Sequence, residues 1–237
     1  MKCFSVKQLC AGYGKKKILH DICIDIPADT VTAIVGSNGC GKTTLLKCMA
    51  GIIKPFSGNC YIDGTVLSSI APRERARRIA FCSQQHPDCS YLTVKELVAM
   101  GRHPYGNESE KVSAQAVEEA LQLADICEFS NCRLGELSSG TIHRAWLALA
   151  LAQQPELLLL DEPTNFLDPL KKQQLSQIFR YLKQEKNTTV VLITHDINFI
   201  ANSAENVIAL KNGSVLCQKT AQEMMSDSVL SEIYISK

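Results

Sequence analysis

The run Gly36-Ser37-Asn38-Gly39-Cys40-Gly41-Lys42-Thr43 constrains this chain more than any other segment. It fits the spacing Gly, four free positions, Gly-Lys, then Ser or Thr, and it demands a particular setting. Residues 30–35 ahead of it are β-branched and apolar and read as a strand; residues 42–50 behind it have the apolar spacing of a helix. A strand that turns through glycines into a helix aims backbone N–H groups and the positive end of a helix dipole at one point. Such a cradle grips phosphate. Lys42 at this spacing reaches β- and γ-phosphates, Thr43 offers a hydroxyl to Mg²⁺, and Thr44 continues the first turn.

A second site follows far along the chain. Leu157-Leu158-Leu159-Leu160 is a short apolar run that delivers two carboxylates, Asp161 and Glu162, at the end of a buried strand, where open parallel sheets keep their ligands. Asp161 suits the Mg²⁺ shell, and Glu162 suits polarising a water against the γ-phosphate.

The remaining elements read as alternating strands and helices. Residues 4–9 and 18–26 form two strands, split by Gly12-Tyr13-Gly14 and the basic run Lys15-Lys16-Lys17, and predict a short antiparallel sheet. Helical spacing recurs over residues 94–100 and 117–127; in the latter Val117, Leu121, Ala124 and Cys127 share one face. Residues 141–152 and 170–184 read as helices, 157–160 and 188–193 as buried strands, and Asn212-Gly213 after residues 206–210 as a hairpin turn. The predicted fold class is α/β: a phosphate-loop core with a mainly parallel sheet, an N-terminal antiparallel part and an inserted helical part. Residues 1–84 and 136–237 form the core in this reading, and residues 85–135 the helical insert.

Composition narrows the partners. Lys and Arg number 25 against 24 Asp and Glu, a net charge of +1, so no general field draws in nucleic acid. No apolar run approaches the roughly 18 residues of a spanning helix, and the N-terminus lacks the apolar stretch and cleavage site of a secretory signal. A cytoplasmic location is expected. The eleven cysteines show no C-x-x-C pair and read as reduced, mostly buried thiols, Cys23 and Cys82 among them. Cys40 lies within the phosphate loop, so its modification is expected to block nucleotide binding.

Further segments now carry a resemblance. Ala80-Phe81-Cys82-Ser83-Gln84, Leu137-Ser138-Ser139-Gly140-Thr141, Asn165-Phe166-Leu167-Asp168 and Thr194-His195-Asp196 follow one another in the order seen in the nucleotide-binding subunits of ATP-binding cassette (ABC) transporters, which the whole chain resembles. The resemblance implies that Gln84 contacts Mg²⁺ and water and connects to a membrane partner, and that His195 touches the γ-phosphate. It implies that Ser138 and Gly140 close on ATP held by a second copy, and that Asp168 belongs to the loop crossing to that copy. It also implies that Tyr13 stacks on adenine. ATP and Mg²⁺ are the implied cofactors. The implied partners are membrane permease subunits, a second copy of the chain and, indirectly, a substrate-binding protein; the implied place is the cytoplasmic face of the inner membrane.

The signature segment departs from the family's Leu-Ser-Gly-Gly-Gln at Ser139 and Thr141. Strain follows if the lost glycine used a positive φ; otherwise the Ser139 hydroxyl is harmless. Leu92-Thr93-Val94 and Met100-Gly101-Arg102-His103-Pro104-Tyr105 resemble the importer branch serving iron–siderophore, haem or cobalamin uptake. Importers of zinc, manganese or iron ions are the near alternative, and a soluble scaffold or low-turnover binding module is the alternative from another class. No Asn-Lys-x-Asp guanine-reading motif occurs. Arg73, Arg75, Arg77 and Arg78 read as a solvated helix face, His86 and His103 as surface residues, and Trp146 as core.

Overall fold

The computed structural model describes residues 1–226 except Lys2, Asn107 and Phe166. Phe166, from the crossing-loop segment, therefore lies outside the described residues. β1 (Cys3–Tyr13) and β2 (Lys16–Pro27) pair antiparallel. Along β2 Ile22, Ile24 and Ile26 point inward, so the alternation turns Cys23 between them into water. β3 (Val31–Gly36) leads into α1 (Lys42–Met49), after which β4 (Ser57–Ile62) and β5 (Thr65–Val66) return to extend the first sheet in the order β2-β1-β4-β5.

α2 (Pro72–Arg78) runs directly into β6 (Ile79–Cys82). α3 (Val94–Ala99) opens on a capping box between Thr93 and Glu96, and α4 (Glu110–Leu123) and α5 (Ser139–Ala152) pack with it. Then come β7 (Leu157–Asp161), α6 (Pro169–Lys186), β8 (Thr189–Ile193), α7 (Ile197–Ser203), β9 (Asn206–Lys211), β10 (Ser214–Thr220) and α8 (Ala221–Ser226). The second sheet runs β10-β9-β3-β8-β7-β6, parallel except for β10, which folds back on β9 through Asn212 and Gly213, both at positive φ.

Alternate residues of the parallel strands serve two cores. Ala33, Leu158, Leu160, Val190, Leu192 and Val207 face α3 to α7, whereas Ile34, Leu157, Leu159, Val191, Ile193 and Ile208 face α1 and the antiparallel sheet. Both faces are covered, which is why these strands read as continuous apolar runs.

Several expectations need correcting. The helix expected over residues 117–127 begins at Glu110, where the Ser109 side chain accepts the Val112 N–H, and ends at Leu123; Asp125 turns left-handed, and Cys127 is exposed rather than on the buried face. Of the cysteines, only Cys40, Cys48, Cys60 and Cys82 are buried. By contrast, the arginines of α2 lie on the surface as expected, since no residue of the helix is buried. Arg73 and Arg77 each donate an Nε–H to the Pro104 carbonyl, at 2.8 and 3.0 Å, and Arg78 clamps Glu156 and Asp63. Trp146 is half-buried against the core, and His103 is exposed.

Candidate active site

Four neighbouring parallel strands deliver their C-terminal ends to one cavity of 250 Å³. β3 supplies the glycine loop, β8 supplies His195, β7 supplies Asp161 and Glu162, and β6 is followed by Gln84. The cavity is lined by these side chains together with Asn38, Gly39, Gly41, Lys42, Thr43 and Thr44. Residues scattered over some 160 positions are thus gathered because adjacent parallel strands end at the same edge.

The loop holds its shape through two left-handed glycines, Gly39 at φ +78° and Gly41 at φ +106°. A Cβ on Gly41 would lie 2.6 Å from Leu19 Cδ2, whereas one on Gly39 would meet nothing within 4 Å. Gly41 is required by packing, and Gly39 by its backbone angle alone. No side chain caps α1 and no acidic residue stands in its first turn, so the first N–H groups are left to the cavity. The Lys42 ammonium donates to the carbonyls of Gly36 and Ser37 at 2.8 and 3.0 Å. Cys40 does not line the cavity. It is buried beneath the loop, and burial pushes its thiol above the ordinary value, which makes it a poor nucleophile.

Opposite the loop, Asp161 Oδ1 accepts the Thr43 hydroxyl at 3.3 Å. Burial raises its pKa, opposed by the Thr43 bond and by Lys47 and Lys42. Glu162 adopts φ +55°, uncommon for a residue with a side chain, and its N–H donates to the Ile193 carbonyl at 3.0 Å. Its Oε1 meets His195 Nε2 at 3.0 Å, and its Oε2 is buried with no protein partner among the described residues. Burial pushes the Glu162 carboxyl up to about 7; Lys42 opposes this and Asp161 reinforces it. His195 moves the other way, because burial and Lys42 both disfavour the imidazolium. The ring is therefore neutral at neutral pH.

Ser138, Gly140 and Asp168 do not line this cavity. Ser138 caps α5: its Oγ accepts the Thr141 N–H at 3.2 Å and lies 2.9 Å from the Thr141 hydroxyl. Thr141 thus becomes a second partner of the cap. Ser139 is the first residue of α5 and is not among the residues at positive φ, so the altered signature carries no backbone strain. Ser139→Gly is expected to leave turnover within about twofold and to lower stability by about 0.5 kcal/mol through helix propensity. Steady-state kinetics and urea unfolding check this; a several-fold faster variant would mean that the hydroxyl obstructs the reaction. Asp168 caps α6, accepting the Lys171 N–H at 2.9 Å. Tyr13 stands at the end of β1, half-exposed and outside the cavity lining, although Ile18 from the same hairpin lines it.

His86 is not a surface residue. Its ring stacks on Trp146 at 4.6 Å with an interplanar angle of 5° and lies 5.8 Å from His143. Burial lowers its pKa to about 4, with His143 adding to the effect. No local pattern announces this contact, since its partners lie about 60 residues apart on a loop and a helix.

A phosphate loop, two carboxylates, a glutamine and a histidine at adjoining strand ends define a nucleotide-hydrolysing cassette. The ABC transporter family profile matches residues 19–165. The chain belongs to this family and is an ATP-hydrolysing subunit of that class. Among its relatives is the iron(3+)-hydroxamate import ATP-binding protein FhuC of Bacillus subtilis (strain 168), 35% identical over 237 residues, covering 99% of this chain and 88% of FhuC. Another is the ferric enterobactin transport ATP-binding protein FepC of Escherichia coli (strain K12), 35% identical over 231 residues, covering 96% of this chain and 85% of FepC. The solved dimeric structure of the ATP-binding cassette MJ0796, in a post-hydrolysis state bound to ADP and Pi, matches with a TM-score of 0.84 at 29% identity, covering 92% of this chain and 98% of that one.

Proposed function

We propose that this chain energises the uptake of ferric siderophores through membrane permease subunits, working as a pair of copies that close on ATP. The observation that carries the cargo is the near-complete alignment with two relatives named for iron(3+)-hydroxamate import and ferric enterobactin transport. A substrate-binding protein delivers the cargo, and the chain works at the cytoplasmic face of the membrane. No helix among the described residues is long and apolar enough to cross it.

In this reading the backbone of Gly36 to Thr44 cradles the phosphates. Lys42 exchanges the Gly36 and Ser37 carbonyls for β- and γ-phosphate oxygens, so its charge is never left bare. Thr43 and Asp161 converge as oxygen donors, and Gln84 lines the same cavity. This pair of oxygens fits Mg²⁺, an ion usually held by one or two protein oxygens plus phosphates and water. Mg²⁺ held by these residues would neutralise charge on the phosphate oxygens. Glu162 accepts a proton from the attacking water, its unpartnered Oε2 being the open position, and His195 holds the other oxygen and borders the γ-phosphate. Tyr13 stacks on adenine. Ser138, Gly140 and Asp168 serve the ATP bound by the second copy, which accounts for their standing away from this one's cavity.

The test is uptake. A strain lacking the gene is expected to lose transport of radiolabelled ferric hydroxamate or ferric catecholate while keeping zinc and manganese transport, and Lys42→Ala should fail to restore it. Loss of zinc or manganese transport with ferric siderophore transport intact would replace this reading with a metal-ion importer.

A further inference from the structure

The loops that follow β7 and β8 are cross-linked at three levels. Glu162 meets His195 at 3.0 Å. Beside that contact, the hydroxyls of Thr164 and Thr194 bond at 2.7 Å, both residues being buried. Outermost, Lys172 Nζ donates to Asp196 Oδ2 at 2.6 Å. Thr194 and Asp196 flank His195, so its backbone is held on either side by a residue tied to the β7 side. The Asp196 carboxylate is used twice. Its Oδ1 caps α7 by accepting the Phe199 N–H at 2.9 Å, which leaves Oδ2 for Lys172. The Asp196 N–H in turn donates to Thr194 Oγ1 at 3.1 Å, closing the bracket around His195.

We propose that Lys172 is a positioning residue for hydrolysis: through Asp196 it holds the His195 loop so that the imidazole stays against Glu162. This rests on the catalytic reading of Glu162 and His195 above. The ion pair itself is a weak fastener of the fold, since Lys172 is 33% and Asp196 21% exposed and both border an open polar groove of 570 Å³. A displacement of about 1 Å between reacting groups can cost up to 10²-fold in rate, so a pair of little structural worth can still govern turnover. Lys172 also lies in the first turn of the helix that Asp168 caps, so one helix turn joins that cap to the His195 loop.

The experiment compares the purified full chain with Lys172→Met, Lys172→Arg, His195→Ala and the Lys172→Met/His195→Ala double variant in ATP hydrolysis. Lys172→Met should lower kcat about tenfold with KM for ATP unchanged and the melting temperature within about 3 °C of the parent. Lys172→Arg should recover kcat to within about twofold, because its guanidinium keeps the pair. In the His195→Ala background, Lys172→Met should change the single-turnover rate by less than about twofold, since its route to the reaction is already cut. A Lys172→Met enzyme with parental kcat, or one whose loss persists in full in the His195→Ala background, overturns the proposal while leaving the catalytic reading intact. Parental activity in His195→Ala overturns both.

Discussion

Glu162→Gln is expected to lower steady-state ATP hydrolysis by about 10² to 10³-fold while making the nucleotide-free chain more stable at pH 8. The loss follows from removing the proposed proton acceptor, a role typically worth 10² to 10⁴-fold. The gain follows from burial, which lifts the Glu162 carboxyl from 4.5 to about 7. Between those values the folded chain holds a proton that the unfolded chain has released, so stability is full below about pH 4.5 and falls as pH rises through 7. Above pH 7 the buried charge costs about 1–3 kcal/mol, which a neutral isostere avoids. Urea unfolding in EDTA should therefore show a stabilised variant at pH 8, with the difference shrinking toward pH 5. Equal unfolding curves at both pH values would mean that Glu162 is not held in a desolvated site. The same variant should form an ATP-dependent dimer, because it binds nucleotide without consuming it; a monomer in excess ATP by gel filtration would count against the paired scheme.

Arg102→Ala should be the most damaging single change outside the cavity, costing about 3–5 kcal/mol and lowering the melting temperature by about 10 °C. Arg102 is 5% exposed and carries four tasks. It pairs with Glu108 at 2.5 Å, donates to the Ala152 carbonyl at 2.7 Å and to Gln154 Oε1 at 3.1 Å, and lies 3.9 Å over the Tyr105 ring. Alanine leaves a buried carbonyl without its donor and takes the guanidinium from Glu108, which keeps the Ser113 hydroxyl. Lysine should not rescue, because a point charge cannot serve a fork of acceptors. Replacing both partners, as Arg102→Met with Glu108→Gln, should recover part of the loss, and differential scanning calorimetry of the set checks this. A double variant no more stable than Arg102→Ala would show that the unpaired carboxylate is not the source of the cost.

The phosphate loop, the Asp161-Glu162 pair and the parallel sheet were all legible from residue order, and so was the family. Each depends on short-range rules: glycines at fixed spacing, apolar runs of strand length, a turn at Asn212-Gly213. The altered signature could be seen but not weighed, since the answer lay in the backbone angle of Ser139, and the structure resolves it in favour of an unstrained helix start. The readings of His86 and Cys23 failed for another reason. Cys23 could have been placed outward by strict alternation with Ile22 and Ile24. Arg73 and Arg77 meeting the Pro104 carbonyl, His86 stacking on Trp146, and Lys172 reaching Asp196 have no local signature at all.

The loop proposed to grip phosphate was readable because its consecutive backbone groups belong to one short segment, so spacing along the chain sets the geometry. The residues that hold the site in working order were not, because each bond joins segments twenty to sixty positions apart. Packing of helices on the sheet brings each of these side chains to its acceptor.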